Sequence, residues 1–267
     1  MKLRLYQVDA FADRLFAGNP AAVCPLDEHP QEGQEWLPDA LMQRIAAENN
    51  LSETAFYVRH GGGYAIRWFT PACEVNLCGH ATLATAYVIF TFDRFSGETI
   101  EFSSKSGPLR VRRDEDLLVL DFPADTARPE QPVAGLIEAI GAEPRECYKG
   151  KTDYLLVYET EDQVAALAPD FGALGAVPAR GIIATAPGTQ VDFVSRFFAP
   201  RVGVNEDPVT GSAHTLLTPF WSARLGKSEL TARQLSKRGG SLRCRLVGDR
   251  AEIAGNVVPF LEGRITI

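Results

Sequence analysis

Two short segments concentrate side chains that can move protons or hold anions. The first is Asn76-Leu77-Cys78-Gly79-His80-Ala81-Thr82, and the second is Asn205-Glu206-Asp207-Pro208-Val209-Thr210-Gly211-Ser212-Ala213-His214. Each precedes an apolar stretch of helical period: Leu83, Tyr87 and Phe90 on one face after the first, and Leu216, Leu217, Phe220 and Trp221 after the second. Both segments therefore read as helix starts, where backbone N–H groups lack partners and the dipole is positive. Such an end is a cradle for a carboxylate or another anionic group. A third polar cluster, Asn50-Leu51-Ser52-Glu53-Thr54, lies between a helix carrying Leu37, Leu41 and Ile45 and a strand over Ala55 to Val58. The Glu53 carboxylate, beside Phe56 and Tyr57, is expected to be partly desolvated, which raises a carboxyl pKa toward the range useful for proton transfer.

The elements that must position these groups are announced by an internal repeat. Arg67-Trp68-Phe69-Thr70-Pro71 recurs as Arg196-Phe197-Phe198-Ala199-Pro200, and Val75-Asn76 as Val204-Asn205, both shifted by 129 positions. Gly79-His80-Ala81 answers to Gly211-Ser212-Ala213, and Ser104-Lys105-Ser106-Gly107 to Ser236-Lys237-Arg238-Gly239, both shifted by 132. Leu109 to Arg112 matches Leu242 to Arg245 at 133. Each half reads as strands around one long helix, followed by a hairpin, with Asp114-Glu115-Asp116 and Gly248-Asp249 at the two turns. The join falls in the proline-rich stretch Pro123 to Pro132, before a short helix from about Val133 to Ile140. Pro219, inside the second long helix, removes a hydrogen bond and is expected to kink or bend it. The predicted fold is α+β: two pseudo-symmetric domains, residues 1–122 and 123–267, each a curved or barrel-like mixed sheet around a central helix. The final strand, Gly263 to Ile267, is free to return to the first half. If the halves face each other with two-fold symmetry, both helix starts address one shared cleft.

Composition narrows the function. The 267 residues are 45% hydrophobic and 23% charged, enough for a large core and against disorder. A net charge of −7 with scattered basic residues carries no nucleic-acid footprint. The longest apolar run, Leu83 to Phe92, is too short to span a bilayer, and Asp9 and Asp13 interrupt any signal-peptide core. The five cysteines are odd in number and widely spaced, which suits a reduced, cytoplasmic compartment. Cys73 and Cys78 have only His80 near them in sequence as a nitrogen ligand, too few for a zinc site, and there is no dinucleotide or Walker signature. No metal is expected.

The segments Leu51 to Phe56, Cys78 to Thr82 and Glu206 to Ala213 resemble those of the PhzF family, phenazine-biosynthesis-like isomerases of diaminopimelate epimerase-like fold. Val8-Asp9-Ala10-Phe11, Gly18-Asn19-Pro20, and Gln234 with Arg238-Gly239-Gly240 extend the resemblance nearly from end to end. It implies an isomerase without metal or cofactor, acting on a small carboxylate-bearing metabolite. Glu53 would take a proton from one carbon and return it to another, assisted by His80, Asp207 and Ser212. Cys78, Gly79 and Gly211 would line the substrate site, the glycines allowing close backbone approach. The resemblance also implies a homodimer. The epimerase branch of the fold uses two cysteines; Cys78 stands where one would be, but its counterpart here is Asp207 or Val209, so a two-thiol racemase is excluded and Cys78 becomes a passive wall residue.

Plainer readings stand beside these. Glu53 could simply close a helix-to-strand turn and His80 could be a capping group. Asp207 before Pro208 is an ordinary turn dipeptide, and Ser212 an ordinary N-cap. His214 is expected to face the other half or solvent, and His29 and His60 to lie exposed in loops. Arg67 and Arg196 are expected to pair with local acids. Two other functions compete: a non-catalytic small-acid binding or interaction protein that keeps the cleft, and a hydrolase using Cys78 with His80. The second is disfavoured because residues two apart at a helix start diverge and no orienting acid follows them.

Overall fold

One ladder of strands is built twice. The computed structural model describes residues 1–26 and 36–267, so His29 lies outside the described residues. The chain divides into a first unit, Met1–Asp121 with Ala254–Ile267, and a second, Phe122–Ile253. In the first, β1 (Lys2–Ala10) is antiparallel to β2 (Asn19–Pro25), which runs parallel to β3 (Glu53–His60). The helix α1 (Asp39–Asn49) leads into β3. β3 is antiparallel to β4 (Gly63–Phe69), which folds back on the two-residue β5 (Glu74–Val75). The helix α2 (Gly79–Thr91) then crosses over, and β6 (Thr99–Ser104) lies parallel to β4 and antiparallel to β7 (Gly107–Asp114). β8 (Leu117–Pro123) pairs with β7, turning at Glu115, whose φ is +53°. The chain's last strand, β17 (Val257–Thr266), pairs with β1, so the C-terminus returns to the first unit.

The second unit repeats this order. β9 (Arg128–Pro129) pairs with β10 (Glu146–Lys149), which is antiparallel to β11 (Asp153–Val157). β11 is parallel to β12 (Gly181–Pro187), and β12 antiparallel to β13 (Phe193–Phe198). After the crossover helix α6 (Gly211–Leu225), β14 (Glu229–Gln234) lies parallel to β13 and antiparallel to β15 (Gly240–Val247). The alternation antiparallel, parallel, antiparallel, parallel, antiparallel is the same from β1 to β7 as from β10 to β15. The sequence echoes fall on equivalent pieces: β4 and β13, the helix starts, the β6–β7 and β14–β15 turns. Three short helices complete the unit: α3 (Leu136–Ile140), α4 (Glu161–Ala165) and α5 (Phe171–Ala176). α3 starts later than its apolar pattern suggested, behind Gly135 at φ +82°.

The two long helices correct the expectation of a single apolar face. Ten of the thirteen residues of α2 are buried, and Tyr87, expected on the apolar face, is among the less buried. A helix wrapped by sheet has no polar face. Its threonines survive there by bonding back along the helix: Thr82 Oγ1 donates to the Cys78 carbonyl at 2.6 Å and Thr85 Oγ1 to Ala81 at 2.7 Å. In α6, Pro219 has no N–H to offer the Thr215 carbonyl, yet the helix continues to Leu225. That carbonyl instead accepts the Asp125 N–H at 3.0 Å.

Candidate active site

In the first unit, three sequence-nominated residues converge. Glu53 opens β3, directly opposite Ala21 of β2, and α2 packs against β1, β2 and β3. That packing places His80, the second residue of α2, against the carboxylate: His80 Nε2 lies 3.1 Å from Glu53 Oε2. Both atoms are buried and neither has another polar partner. The other ring nitrogen, Nδ1, lies 3.2 Å from Asn19 Nδ2 and 3.5 Å from Cys78 Sγ. Burial alone would lower the pKa of His80, but Cys78 and Glu53 outweigh it and hold the imidazole well above its usual value. Burial, helped by the Glu53 charge, pushes the Cys78 thiol up to about 11.

The argument that Cys78 and His80 diverge is therefore corrected. Cys78 is the N-cap, with extended backbone (φ −144°, ψ 113°). The chain bends there, bringing the two side chains together, while Glu53 supplies an acid from a distant strand. The thiol still makes a poor nucleophile, because it is 7% exposed and stays protonated near neutral pH. Glu53, Cys78 and His80 also bring ligand-capable atoms within 4.8 Å of one another. Cys78 and Glu53 approach opposite ring nitrogens, so an ion on one nitrogen would leave the partner of the other behind. Cys73 sits apart in an exposed turn held by Thr70.

In the second unit, Asp207 and Ser212 lie half-buried around the start of α6, and Gly211 is its buried first residue. The N-cap is Thr210, not Ser212, which corrects the plainer reading of Ser212 and the counterpart assigned to Cys78, while the match of Gly79 to Gly211 holds. By helix starts, Cys78 corresponds to Thr210 rather than to Asp207 or Val209. Neither N-cap side chain caps its own helix. The Thr210 hydroxyl donates to Asp207 Oδ2 instead. The fully buried Gln234 holds this turn. Its Oε1 accepts the Thr210 N–H at 2.9 Å, and its Nε2 donates to the Asp207 carbonyl at 2.8 Å.

Composition and motif gave no sign of Arg180. It forks onto both carboxylate oxygens of Asp153, and its third nitrogen donates to Ser212 Oγ at 3.1 Å. The repeated arginines pair with local acids as expected. Arg67 binds both Glu74 oxygens at 2.8 Å, and Arg196 binds Glu206 at 2.7 and 3.0 Å. His214 departs from expectation: it is wholly buried in α6, with Nδ1 2.8 Å from the Thr210 carbonyl and its ring against Phe193. Burial depresses its pKa to about 4. His60 is exposed at the end of β3. Among the described residues, no helix is long and apolar enough to cross a membrane.

A mixed sheet around a central helix, built twice by an internal repeat, defines the class: this is the epimerase-like α+β fold. A hydroxyproline epimerase from Agrobacterium vitis, solved with bound trans-4-hydroxy-L-proline, shares it at a TM-score of 0.60 over 99% of this chain and 92% of that one; at 9% identity the likeness is one of fold alone. The family model for phenazine biosynthesis-like protein, PhzC-PhzF, matches residues 8–263. An isomerase of Pseudomonas aeruginosa, described as uncharacterized, is 54% identical over the full length of both chains. The crystal structure of a PhzF-family phenazine biosynthesis protein from Enterococcus faecalis superposes at a TM-score of 0.95, with 47% identity and complete coverage of both chains. The chain belongs to the phenazine biosynthesis-like (PhzC-PhzF) family, a family of isomerase and epimerase type.

Proposed function

We propose that the protein is a cofactor-independent isomerase of a small carboxylate-bearing metabolite, with Glu53 as the group that takes and returns the proton. The observation that carries this is the pairing of Glu53 Oε2 with His80 Nε2 at 3.1 Å, two buried atoms with no other partner. A carboxylate with a single neighbour keeps acceptor capacity for a substrate proton, and a side chain 16% exposed can still be reached. The imidazole beside it steadies whichever charge the carboxyl carries through the cycle. In the second unit, the start of α6 offers helix-end amides, the Ser212 hydroxyl and the half-buried Asp207. We assign the substrate carboxylate to the amides and Ser212, and a polar substrate group to Asp207. Cys78 and Gly79 line the Glu53 side and Gly211 the other.

The test is deuterium incorporation from solvent into a panel of small carboxylic acids. Wild type is expected to exchange a carbon-bound proton, and Glu53→Gln to lose that exchange by roughly 10²–10⁴-fold with its thermal unfolding unchanged. Exchange that persists in the variant would remove Glu53 from the mechanism. Ligands that raise the melting temperature of wild type without any exchange would make the protein a binder.

A further inference from the structure

The motif Gly18-Asn19-Pro20 has no part in the proton shuttle as described, yet the fold works to place it. Gly18 has φ +68°, and a Cβ there would lie 2.3 Å from the Ala10 carbonyl oxygen, so the turn into β2 accepts only glycine. The next residue, Asn19, is completely buried, opposite Ala10 in the β1–β2 ladder. Its amide nitrogen faces His80 Nδ1 at 3.2 Å, on the side of the ring opposite Glu53.

We propose that Asn19 is a positioning residue that sets where His80 carries its proton. This rests on the proton-shuttle reading of Glu53 and His80. An amide nitrogen only donates, so the Nδ1 it faces must accept, and the ring proton of a neutral His80 lies on Nε2, aimed at Glu53. The Cys78 thiol, 3.5 Å from the same Nδ1, is also able to donate there. A second proton on Nδ1 would confront the donor end of Asn19 and could be met by the Cys78 sulfur on the same side or by turning the amide oxygen inward. The titratable groups acting on the ring are Glu53 from β3 and Cys78 from the start of α2, and both favour that second proton. Asn19, from β2, opposes it. The balance keeps His80 a hydrogen-bond donor to Glu53 through Nε2 whether or not Nδ1 also carries a proton.

The expected signs follow. Asn19→Asp places an acceptor against Nδ1 and moves the titration of His80 to higher pH. Asn19→Leu removes the donor without supplying an acceptor and moves it upward by less. The measurement is ¹⁵N NMR of the imidazole of the full-length protein across pH without substrate, with the pH profile of solvent exchange beside it. Wild type is expected to show the Nε2–H pattern when neutral. Asn19→Leu is expected to show mixed tautomers, and the exchange limb tied to His80 to move with the NMR titration. An unmoved titration in both variants, or a wild-type Nδ1–H pattern, would overturn the proposal. If Asn19→Asp does not fold, Asn19→Leu decides by the same readout. Because the NMR needs no turnover, failure of Glu53 as the base would leave this result standing and distinguishable.

Discussion

The proton shuttle proposed for His80 rests on its two nitrogens seeing different worlds: an acid on one side, an amide and a thiol on the other. Only one of these partners, Cys78, is close to it in sequence. Glu53 was legible as a carboxylate beside aromatic residues, but its distance from His80 was not, since 27 residues and a strand crossing separate them. Arg180 was illegible for a related reason. Its partners Asp153 and Ser212 lie 27 and 32 residues away, brought together by the parallel pairing of β11 with β12 and by the start of α6. The raised thiol pKa gives a direct check at this scale. Cys78, at about 11, is expected to react with iodoacetamide far more slowly at pH 7.5 than the exposed Cys73, and to gain on it as pH rises toward 11. Peptide mass spectrometry after timed labelling measures both sites in one sample; equal rates at pH 7.5 would mean that Cys78 is an activated thiol.

At the scale of the element, α6 carries a buried histidine whose charge the core rejects. His214 titrates near its usual value in the unfolded chain and near 4 when folded. Between those values the unfolded state binds more protons, so stability is complete above the unfolded pKa and falls with pH down to about 4. The whole effect is about 3 kcal/mol. Urea unfolding of wild type from pH 7 to pH 4 is expected to show the fall, and His214→Leu to flatten it whatever its stability at pH 7; an equal slope in the variant would place the acid sensitivity elsewhere. The burial of His214 escaped the sequence because helical period distinguishes faces only when one face meets water. A helix enclosed by sheet buries every side, as the Thr82, Thr85 and Thr218 bonds to their own backbone testify. The long helices and their flanking strands were legible because period and repeat agreed. The helix starts at Gly79 and Gly211 were legible too, but the counterpart of Cys78 was misjudged by counting from the asparagines: the intervening loop differs in length between the repeats, and the cap geometry falls on Cys78 and Thr210.

At the scale of the whole chain, the first unit is closed by residues from both ends of the sequence. β17 pairs with β1 from Lys2 opposite Thr266 to Ala10 opposite Val257, with one register shift beside Val8. The terminal residues lock together, the Met1 ammonium donating to the Ile267 carbonyl at 2.6 Å and the Ile267 N–H to Met1 at 2.9 Å. β1 carries Leu3, Tyr6 and Val8 into the core and is the strand against which Asn19 is registered. Removing residues 257–267 strips β1 of one neighbour and leaves a row of unpaired backbone groups at a new edge. The second unit, Phe122–Ile253, keeps its own core around Tyr154, Ile182 and Phe198. The truncated protein is therefore expected to lose amide protection in β1, β2 and β3 well before β11, β12 and β13. Hydrogen exchange read by mass spectrometry would show this as two populations of peptides where the full chain shows one. With β1 and β2 loosened, Asn19 would leave His80, and solvent exchange into substrate should fall even though every proposed acid, base and anion-holding group is still in the chain. Uniform loss of protection over both sets of strands would instead show that the two repeats unfold as a single cooperative body.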